Sequence, residues 1–426
     1  MSTSKATTAA DEWRGGWPVV LSAMVGYSLF SVMLSGAGIF MEPLGKEFGW
    51  NRTILSAGPA IATIVTALLS PPVGMLIDRF GSRRLALPGI LVTTAGMSAF
   101  GLITGSPMQW YVVWGLFGVA LVMIKTTVWS AAVVTFFEKG RGLALGLTIV
   151  GTAVSQAAVP ALGNWLIEDY GWRQAYAYLG LIWGLGTFVI CYFLFKDGFV
   201  SASQRKAEAA AHAAAVASKP GLTVREALCS SALWRLLLSS FIVMLTTQGL
   251  SVHLFPILTE SGISRAEAAG MLAISGAAAV VGKLATGVLL DRFRPNWIGG
   301  LTLAAAALVF APLMEGARAP ALIVLAMLAN GYAAGTKTNI TLYFAAGFGG
   351  MKNFGVIYGT MSAAIALAAG VGPLVAGVMY DHFGGYNEFL LFGVISCVVG
   401  GALVMSLPPM PRWTDAEEAE AEAALA

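Results

Sequence analysis

The chain has 426 residues, of which 57% are hydrophobic and only 11% are charged. A soluble domain carries roughly 25% charged residues, so this composition excludes an ordinary soluble protein and indicates a polytopic helical membrane protein. The formal net charge of +3 is too small to indicate binding to nucleic acid. Cys191, Cys229 and Cys397 lie far apart in the sequence and match neither a disulfide framework nor a zinc site.

Twelve apolar segments, each long enough to cross a bilayer, follow one another along the chain. A polar N-terminal tail, 1–16, precedes six segments in 17–195. A charged, alanine-rich linker, 196–231, separates them from six segments in 232–407, and the acidic tail 408–426 is predicted to be disordered. The predicted spans are 17–42, 52–77, 85–105, 109–136, 143–167, 174–195, 232–258, 266–290, 297–314, 319–346, 354–379 and 387–407.

The distribution of Lys and Arg between the connections predicts the orientation. Seventeen basic residues fall on the side of the N-terminus, five fall on the opposite side, and three lie inside spans. Because cytoplasmic loops carry the excess of basic residues, both termini and the linker are predicted to be cytoplasmic.

The two halves of the sequence repeat each other at an offset of 213 residues. GMLIDRFGSRR from Gly74 matches GVLLDRFRPNW from Gly287, and the words that begin at Glu138 and Met351 match at the same offset. Such a repeat indicates an internal duplication. The predicted fold is therefore all-α, with twelve transmembrane helices in two pseudo-symmetric six-helix bundles and a binding site at midplane between them.

GMLIDRFGSRR, which follows the second span, resembles the signature of the major facilitator superfamily. Ser82 stands where that family usually has a basic residue. The resemblance implies that the loop clamps the cytoplasmic faces of the two halves, and Asp78 is expected to pair with Arg141 or with the start of the eleventh span. An alternative is that the loop serves the topology alone. The predicted gating residues are Asp78, Arg79, Gly74, Arg83, Arg141, Asp291 and Arg292.

Four further sequence motifs resemble those of the monocarboxylate porter branch, a group related to the oxalate/formate exchanger. They are GGW at 15–17, FGWNRT at 48–53, FFEKGRGLALGLTIVG at 136–151 and YGWRQA at 170–175. The resemblance implies a secondary transporter that works by rocker-switch alternating access. Residues 252–272 resemble bacterial members, which implies the inner membrane of a bacterium.

Lys125 is the single charge in a long apolar run and lies eleven positions before the end of that run at Phe136. That separation is about 16 Å on a helix, which places the ammonium near the middle of a hydrocarbon core about 30 Å thick. Lys337 repeats the arrangement in the tenth span. An intramembrane charge indicates a functional site, and the alternative is a lysine that snorkels to the interface.

No acidic residue lies in the middle of any predicted span. A buried cation needs a counter-charge, so the substrate is predicted to be a small organic anion, a mono- or dicarboxylate. Lys283 occupies the place of a substrate-pairing arginine in the monocarboxylate porters, while Ala279 replaces an aspartate associated with proton coupling. The absence of this aspartate counts against proton symport, and anion exchange is the other predicted mode of transport.

Helical spacing from the lysines, together with polar positions in other spans, gives the other candidate residues. The predicted substrate-binding set is Lys125, Lys337, Lys283, Trp129, Asn330, Asn339, Tyr332, Tyr27, Gln248 and His253.

The alternative function is a carrier or exporter of a larger neutral or drug-like compound, with the lysines structural. The sequence has no P-loop, no metal-ligand cluster and no paired carboxylates at one depth, so we expect neither an enzyme nor a bound cofactor. The expected partners are the anion, the lipid bilayer and protons or a counter-anion, and the protein is expected to be a monomer.

Overall fold

In the computed structural model of the protein the described part of the chain is helical. Its only β-type pairing is an isolated bridge between Gly221 and Gly350. The structure describes residues 8–137, 139–197, 220–292, 295–314, 319–411 and 413, and it describes their side chains except at 283–292, 320 and 335–339.

The first half of the chain forms six helices. Their bounds are α1 (Ala9–Phe48), α2 (Arg52–Phe80), α3 (Ser82–Ala99), α4 (Pro107–Val122), α5 (Thr126–Val133) and α6 (Arg141–Leu194). The second half contributes α7 (Val224–Cys229), α8 (Ser231–Glu260), α9 (Arg265–Arg292), α10 (Pro295–Ala305), α11 (Ala307–Phe310), α12 (Pro320–Gly349), α13 (Phe354–Phe383) and α14 (Asn387–Met405). Short 3-10 turns at Phe100–Leu102 and Ala311–Leu313 extend α3 and α11.

Nine helices in the described residues are long and apolar enough to cross a membrane. One of them, the 54-residue α6, is interrupted at Gly171, whose φ of 79° and ψ of 159° are not helical. Glycine adopts this positive φ without the strain that a side chain would add, so α6 consists of two limbs, 141–170 and 172–194. These observations confirm the all-α transporter fold predicted from the apolar segments.

Two helix boundaries differ from the predictions. Helix α1 begins at Ala9, inside the segment predicted as a polar tail, because Thr8 caps its first turn. The predicted span 109–136 is broken into α4 and α5, and Lys125 takes an extended ψ of 161° directly before α5. The break places this lysine at a helix start rather than within a continuous helix.

The two halves pack together along three pairs of helices: α1 with α8, α2 with α13, and α6 with α9. Glycines allow the closest approaches. A Cβ added at Gly38 would stand 2.5 Å from the carbonyl oxygen of Val252, and one added at Gly377 would stand 2.7 Å from that of Arg52. We refer to the end of the bundle where α1 ends and α2 begins as the closed end.

At the opposite end, residues of both halves face open space. A Cβ added at Gly74, Gly355 or Gly359 would meet nothing within 4 Å. The neighbouring side chains of Met75 and Val356 are 67% and 54% exposed. We call this the open end.

The described parts of the linker and the tail dock at the open end. Thr223 and Glu226 form a capping box that starts α7. Asn353 donates to the Leu222 carbonyl oxygen at 2.8 Å, and the Trp413 indole donates to the Gly347 carbonyl oxygen at 2.8 Å.

Candidate functional site

A polar cavity of about 110 Å³ lies between the two halves. Five helices line it: α1 and α6 from the first half, and α8, α9 and α12 from the second. Its polar lining side chains are all uncharged, namely Ser35, Gln156, Thr247, Gln248, Ser251, Ser275 and Asn330. Hydroxyl and amide groups can donate or accept hydrogen bonds, so the cavity can orient a small polar ligand.

Two of the residues predicted from sequence, Gln248 and Asn330, line this cavity. The Asn330 amide donates to the Ser275 hydroxyl at 2.9 Å, which fixes its orientation. Sequence reasoning missed the other polar lining residues. One signal could have found Ser35, because the repeat offset of 213 residues places it opposite Gln248.

Lys125 lies outside the lining of this cavity, on the wall of the first half and nearer the open end. Its ammonium donates to the Ser70 hydroxyl of α2 at 2.6 Å. Among the described side chains, no carboxylate forms an ion pair with it. A partly buried cation whose protein partner is a neutral hydroxyl retains the capacity to bind an anion.

The structure places Trp129, a predicted substrate-binding residue, in the core of the first half and not in the lining of the cavity. Its side chain is fully buried, and its indole donates to the Ile124 carbonyl oxygen at 2.8 Å. The ring packs against Phe195 at a centroid distance of 4.9 Å and covers Gly26. The i+4 spacing failed because Lys125 is not part of α5, so the two side chains do not share a helix face.

Among the other predicted site residues, the structure describes the side chains of some but not of others. Tyr27 is partly buried and stacks on Phe30 at 5.6 Å, and Tyr332 belongs to the packing of α12 against Gly282 of α9. The side chains of Lys283, Lys337, Asn339, Asp291 and Arg292 lie outside the described residues.

Of the predicted gating residues, Arg83 acts within the first half. Its guanidinium donates to the carbonyl oxygens of Phe195 and Tyr192, the latter at 2.6 Å, so it ties the start of α3 to the end of α6. The Arg79 guanidinium lies 5.2 Å from the Phe80 ring. Gly74, Asp78 and Arg141 lie at the open end, where a gating role stays a prediction.

Ion pairs and a helix cap join the two halves at the closed end. Arg52 pairs with Glu260 at 2.5 Å, and Arg265 pairs with Glu42 at 2.5 Å. The Asp381 carboxylate accepts from the backbone N–H groups of Arg52 at 3.0 Å and of Thr53 at 2.8 Å. A carboxylate at the start of a helix satisfies its free N–H groups and complements its dipole.

His253, predicted as a substrate-binding residue, lies fully buried beneath these ion pairs. Its ring hydrogen bonds to Ser56 of the first half at 2.8 Å. It also contacts the Tyr386 hydroxyl at 2.8 Å and the Pro373 carbonyl oxygen at 3.0 Å, both in the second half. It belongs to the closed end rather than to the cavity wall.

Sequence and structure comparisons agree with this architecture. The Major Facilitator Superfamily pattern matches residues 23–351 and 236–426. The chain therefore belongs to the Major Facilitator Superfamily, and it is a multi-pass membrane transporter.

Its relatives place it near the monocarboxylate branch. It is 24% identical over 399 residues to Monocarboxylate transporter 13 of Bos taurus, covering 92% of this chain and 89% of that protein. It is 25% identical over 411 residues to Monocarboxylate transporter 11 of Mus musculus, covering 92% of this chain and 87% of that protein. These similarities confirm the predicted resemblance.

Two solved structures share the fold. A D-xylose-proton symporter superposes with a TM-score of 0.71 at 15% identity, covering 92% of this chain and 98% of that one. A bacterial homologue of the human lysosomal transporter Spinster, solved in an inward-facing and unoccupied conformation, superposes with a TM-score of 0.66 at 15% identity, covering 91% of this chain and 97% of that one.

Proposed function

We propose that this protein is a secondary carrier of small carboxylates that works by rocker-switch alternating access. The observation that carries the proposal is the Lys125 ammonium, a charge within a span whose described protein partner is the Ser70 hydroxyl. The names of the monocarboxylate transporters to which the chain is similar support the same substrate class.

The asymmetry of the two ends supports alternating access. The ion pairs and the Asp381 cap close one end, while the glycines of the other end face open space. The distribution of basic residues assigns the open end to the cytoplasm. The structure then corresponds to a cytoplasm-facing state, in which an anion from the cytoplasm reaches Lys125 before the amide-lined cavity.

The cavity offers a small substrate uncharged polar groups from both halves of the protein. The hydroxyl and amide groups of Ser35, Gln248 and Asn330 are able to hold its polar atoms, while Lys125 and, from the repeat, Lys337 supply positive charge.

A carrier of small neutral polar compounds is the second candidate. The uncharged lining of the cavity favours it, because hydroxyl and amide groups recognise sugars or polyols as well as carboxylates. In this alternative the Lys125–Ser70 contact stabilises the packing of α2 against the α4–α5 break.

A thermal-stability screen separates the two candidates. Purified protein is incubated with short mono- and dicarboxylates, with neutral amides of the same carbon skeletons, and with sugars and polyols. A bound ligand raises the unfolding free energy by RT ln(1 + [L]/Kd), about 2.7 kcal/mol at a concentration of 100 times Kd. Stabilisation by carboxylates but not by their amides supports the anion carrier. Stabilisation by neutral compounds alone overturns it.

A further inference from the structure

The ring of His253 makes three hydrogen bonds whose donors and acceptors can be assigned. The Pro373 carbonyl oxygen, 3.0 Å from Nε2, can only accept, so Nε2 carries a proton. Ser56 donates its own proton to the Arg52 carbonyl oxygen at 2.6 Å, so its oxygen also accepts from Nε2 at 2.8 Å. Nδ1 is then free to accept from the Tyr386 hydroxyl at 2.8 Å.

All three hydrogen bonds of the His253 ring are satisfied when the imidazole is neutral. A second proton on Nδ1 of His253 would point at the Tyr386 hydroxyl and force its O–H to turn away. The ring is fully buried, so no solvent would compensate the added charge. The closed end therefore favours the neutral form of His253.

The charges around the ring belong to different halves of the protein. The Arg52 guanidinium, on α2, lies 5.4 Å from the centre of the Tyr380 ring, and that ring contacts the Tyr386 ring at a tilt of 44° and a centroid distance of 4.4 Å. Glu260 and Asp381, which both contact Arg52, belong to the second half together with His253.

Separation of the two halves at the closed end would change the charge and the hydration around the imidazole. Ser56 and the cationic Arg52 would leave with α2, whereas the carboxylates of Glu260 and Asp381 would stay with the half that carries His253. Water would enter at the same time. The loss of the Arg52 cation and the entry of water both favour the doubly protonated ring over the neutral one.

We propose that His253 is a proton-binding site that couples pH to the opening of the closed end. A ligand that binds one conformation better shifts the population toward that conformation, and here the ligand is a proton. Because the closed end is assigned to the outside, acid outside the cell would hold the carrier open to that side. This inference rests on alternating access but not on the identity of the substrate.

The test measures the conformation without any substrate. Spin labels are placed at the exposed positions Ser106 and Ala266, one on each half at the closed end, in protein whose exposed Cys229 is replaced by serine. Electron–electron distances are recorded in lipid nanodiscs between about pH 8 and about pH 5, a range that spans the ordinary histidine pKa of about 6.5. We expect the long-distance population to grow roughly fivefold as the pH falls.

Two histidine variants decide the assignment. His253→Gln retains a donor for Pro373 and an acceptor for Tyr386 but does not titrate, so its distances should not change with pH. His382→Gln, an exposed histidine at the same end, should respond as the parent protein does. A pH response retained in His253→Gln, or absent from the parent protein, overturns the proposal.

A further variant covers the case in which His253→Gln fails to fold. Tyr386→Phe removes the donor to Nδ1 and leaves the histidine in place. The midpoint of the pH response should then move to higher pH, because protonation no longer has to displace a hydroxyl proton. An unmoved midpoint overturns the proposal. Since no anion is present, failure here leaves the carboxylate assignment untouched.

Discussion

The Asp381 carboxylate receives the backbone N–H of Thr53 at 2.8 Å, so the end of α13 closes on the first turn of α2. The two helices run antiparallel, and α2 itself ends in the similar word DRFG, with Asp78 where α13 has Asp381 in DHFG. At the closed end, the aspartate at the end of α13 caps the start of α2. The sequence predicts the reciprocal contact at the open end, where Asp78 at the end of α2 would cap the start of α13.

Asp381→Asn should weaken the closed end. The amide keeps one acceptor but loses the charge that complements the start of α2, an effect of about 1 kcal/mol, or roughly fivefold in population. Labelling of a cysteine at Ser35, inside the cavity, by an impermeant reagent added outside should become faster. Glu388→Gln, which removes an exposed carboxylate from the start of α14, is the matched control. If both variants were labelled at the same rate, Asp381 would not contribute to holding the closed end shut.

Gly377→Ala should hold the closed end open. The added Cβ would stand 2.7 Å from the Arg52 carbonyl oxygen and 2.8 Å from the Ser56 hydroxyl, which is closer than side chains tolerate. Alanine is the better helix former by about 1 kcal/mol, so α13 itself should not be lost. Gly142→Ala, where nothing lies within 4 Å, is the control. Distance measurements across the closed end should show a longer separation for Gly377→Ala only.

Trp129→Ala tests the assignment of this ring to the core. Removing a fully buried tryptophan typically costs about 3–5 kcal/mol, and here it would empty the space between Gly26 and Phe195. The melting temperature in detergent should fall strongly. Trp17→Ala, which removes a ring that is 50% exposed, should have little effect. If Trp129→Ala were as stable as the parent protein but bound ligand poorly, Trp129 would be a substrate-binding residue and not a core residue.

The helices were predictable because each needs only a long apolar run. The contacts that join the two halves at the closed end could not be predicted from the sequence. The pairing of Arg52 with Glu260 joins residues 208 positions apart, and no local pattern indicates it. The break at Lys125 escaped prediction because no proline or glycine marks it. Side-chain positions inferred across that break therefore failed, as Trp129 shows, while Gln248 and Asn330 in unbroken helices reached the cavity wall.

The predicted orientation can be tested on intact cells. Cys229 is exposed on α7 at the open end, and Ala266 is exposed on α9 at the closed end. The excess of basic residues places the first inside and the second outside. An impermeant maleimide should label Ala266→Cys in a Cys229→Ser background, and it should label Cys229 of the parent protein only after permeabilisation. The opposite pattern would reverse the assignment of the two ends.

Lys125→Gln should weaken the binding of a stabilising carboxylate by about 1.5–3 kcal/mol, the usual contribution of a hydrogen bond to a charged group, or roughly tenfold to hundredfold in Kd. Yield should stay near normal, because glutamine can still donate to Ser70 and the cost of a partly buried charge is removed. Lys337→Gln is predicted from the repeat to behave in the same way.

The controls for the lysines separate local charge from net charge. Lys196→Gln removes an exposed lysine outside the helices and should leave Kd unchanged. Lys125→Arg should restore binding only in part, because a planar guanidinium cannot take the place of a compact ammonium beside Ser70. Isothermal titration of each variant with the same carboxylate gives the comparison. If Lys125→Gln and Lys337→Gln both bind it as tightly as Lys196→Gln does, the two lysines stabilise the helices and the neutral-substrate carrier becomes the better interpretation.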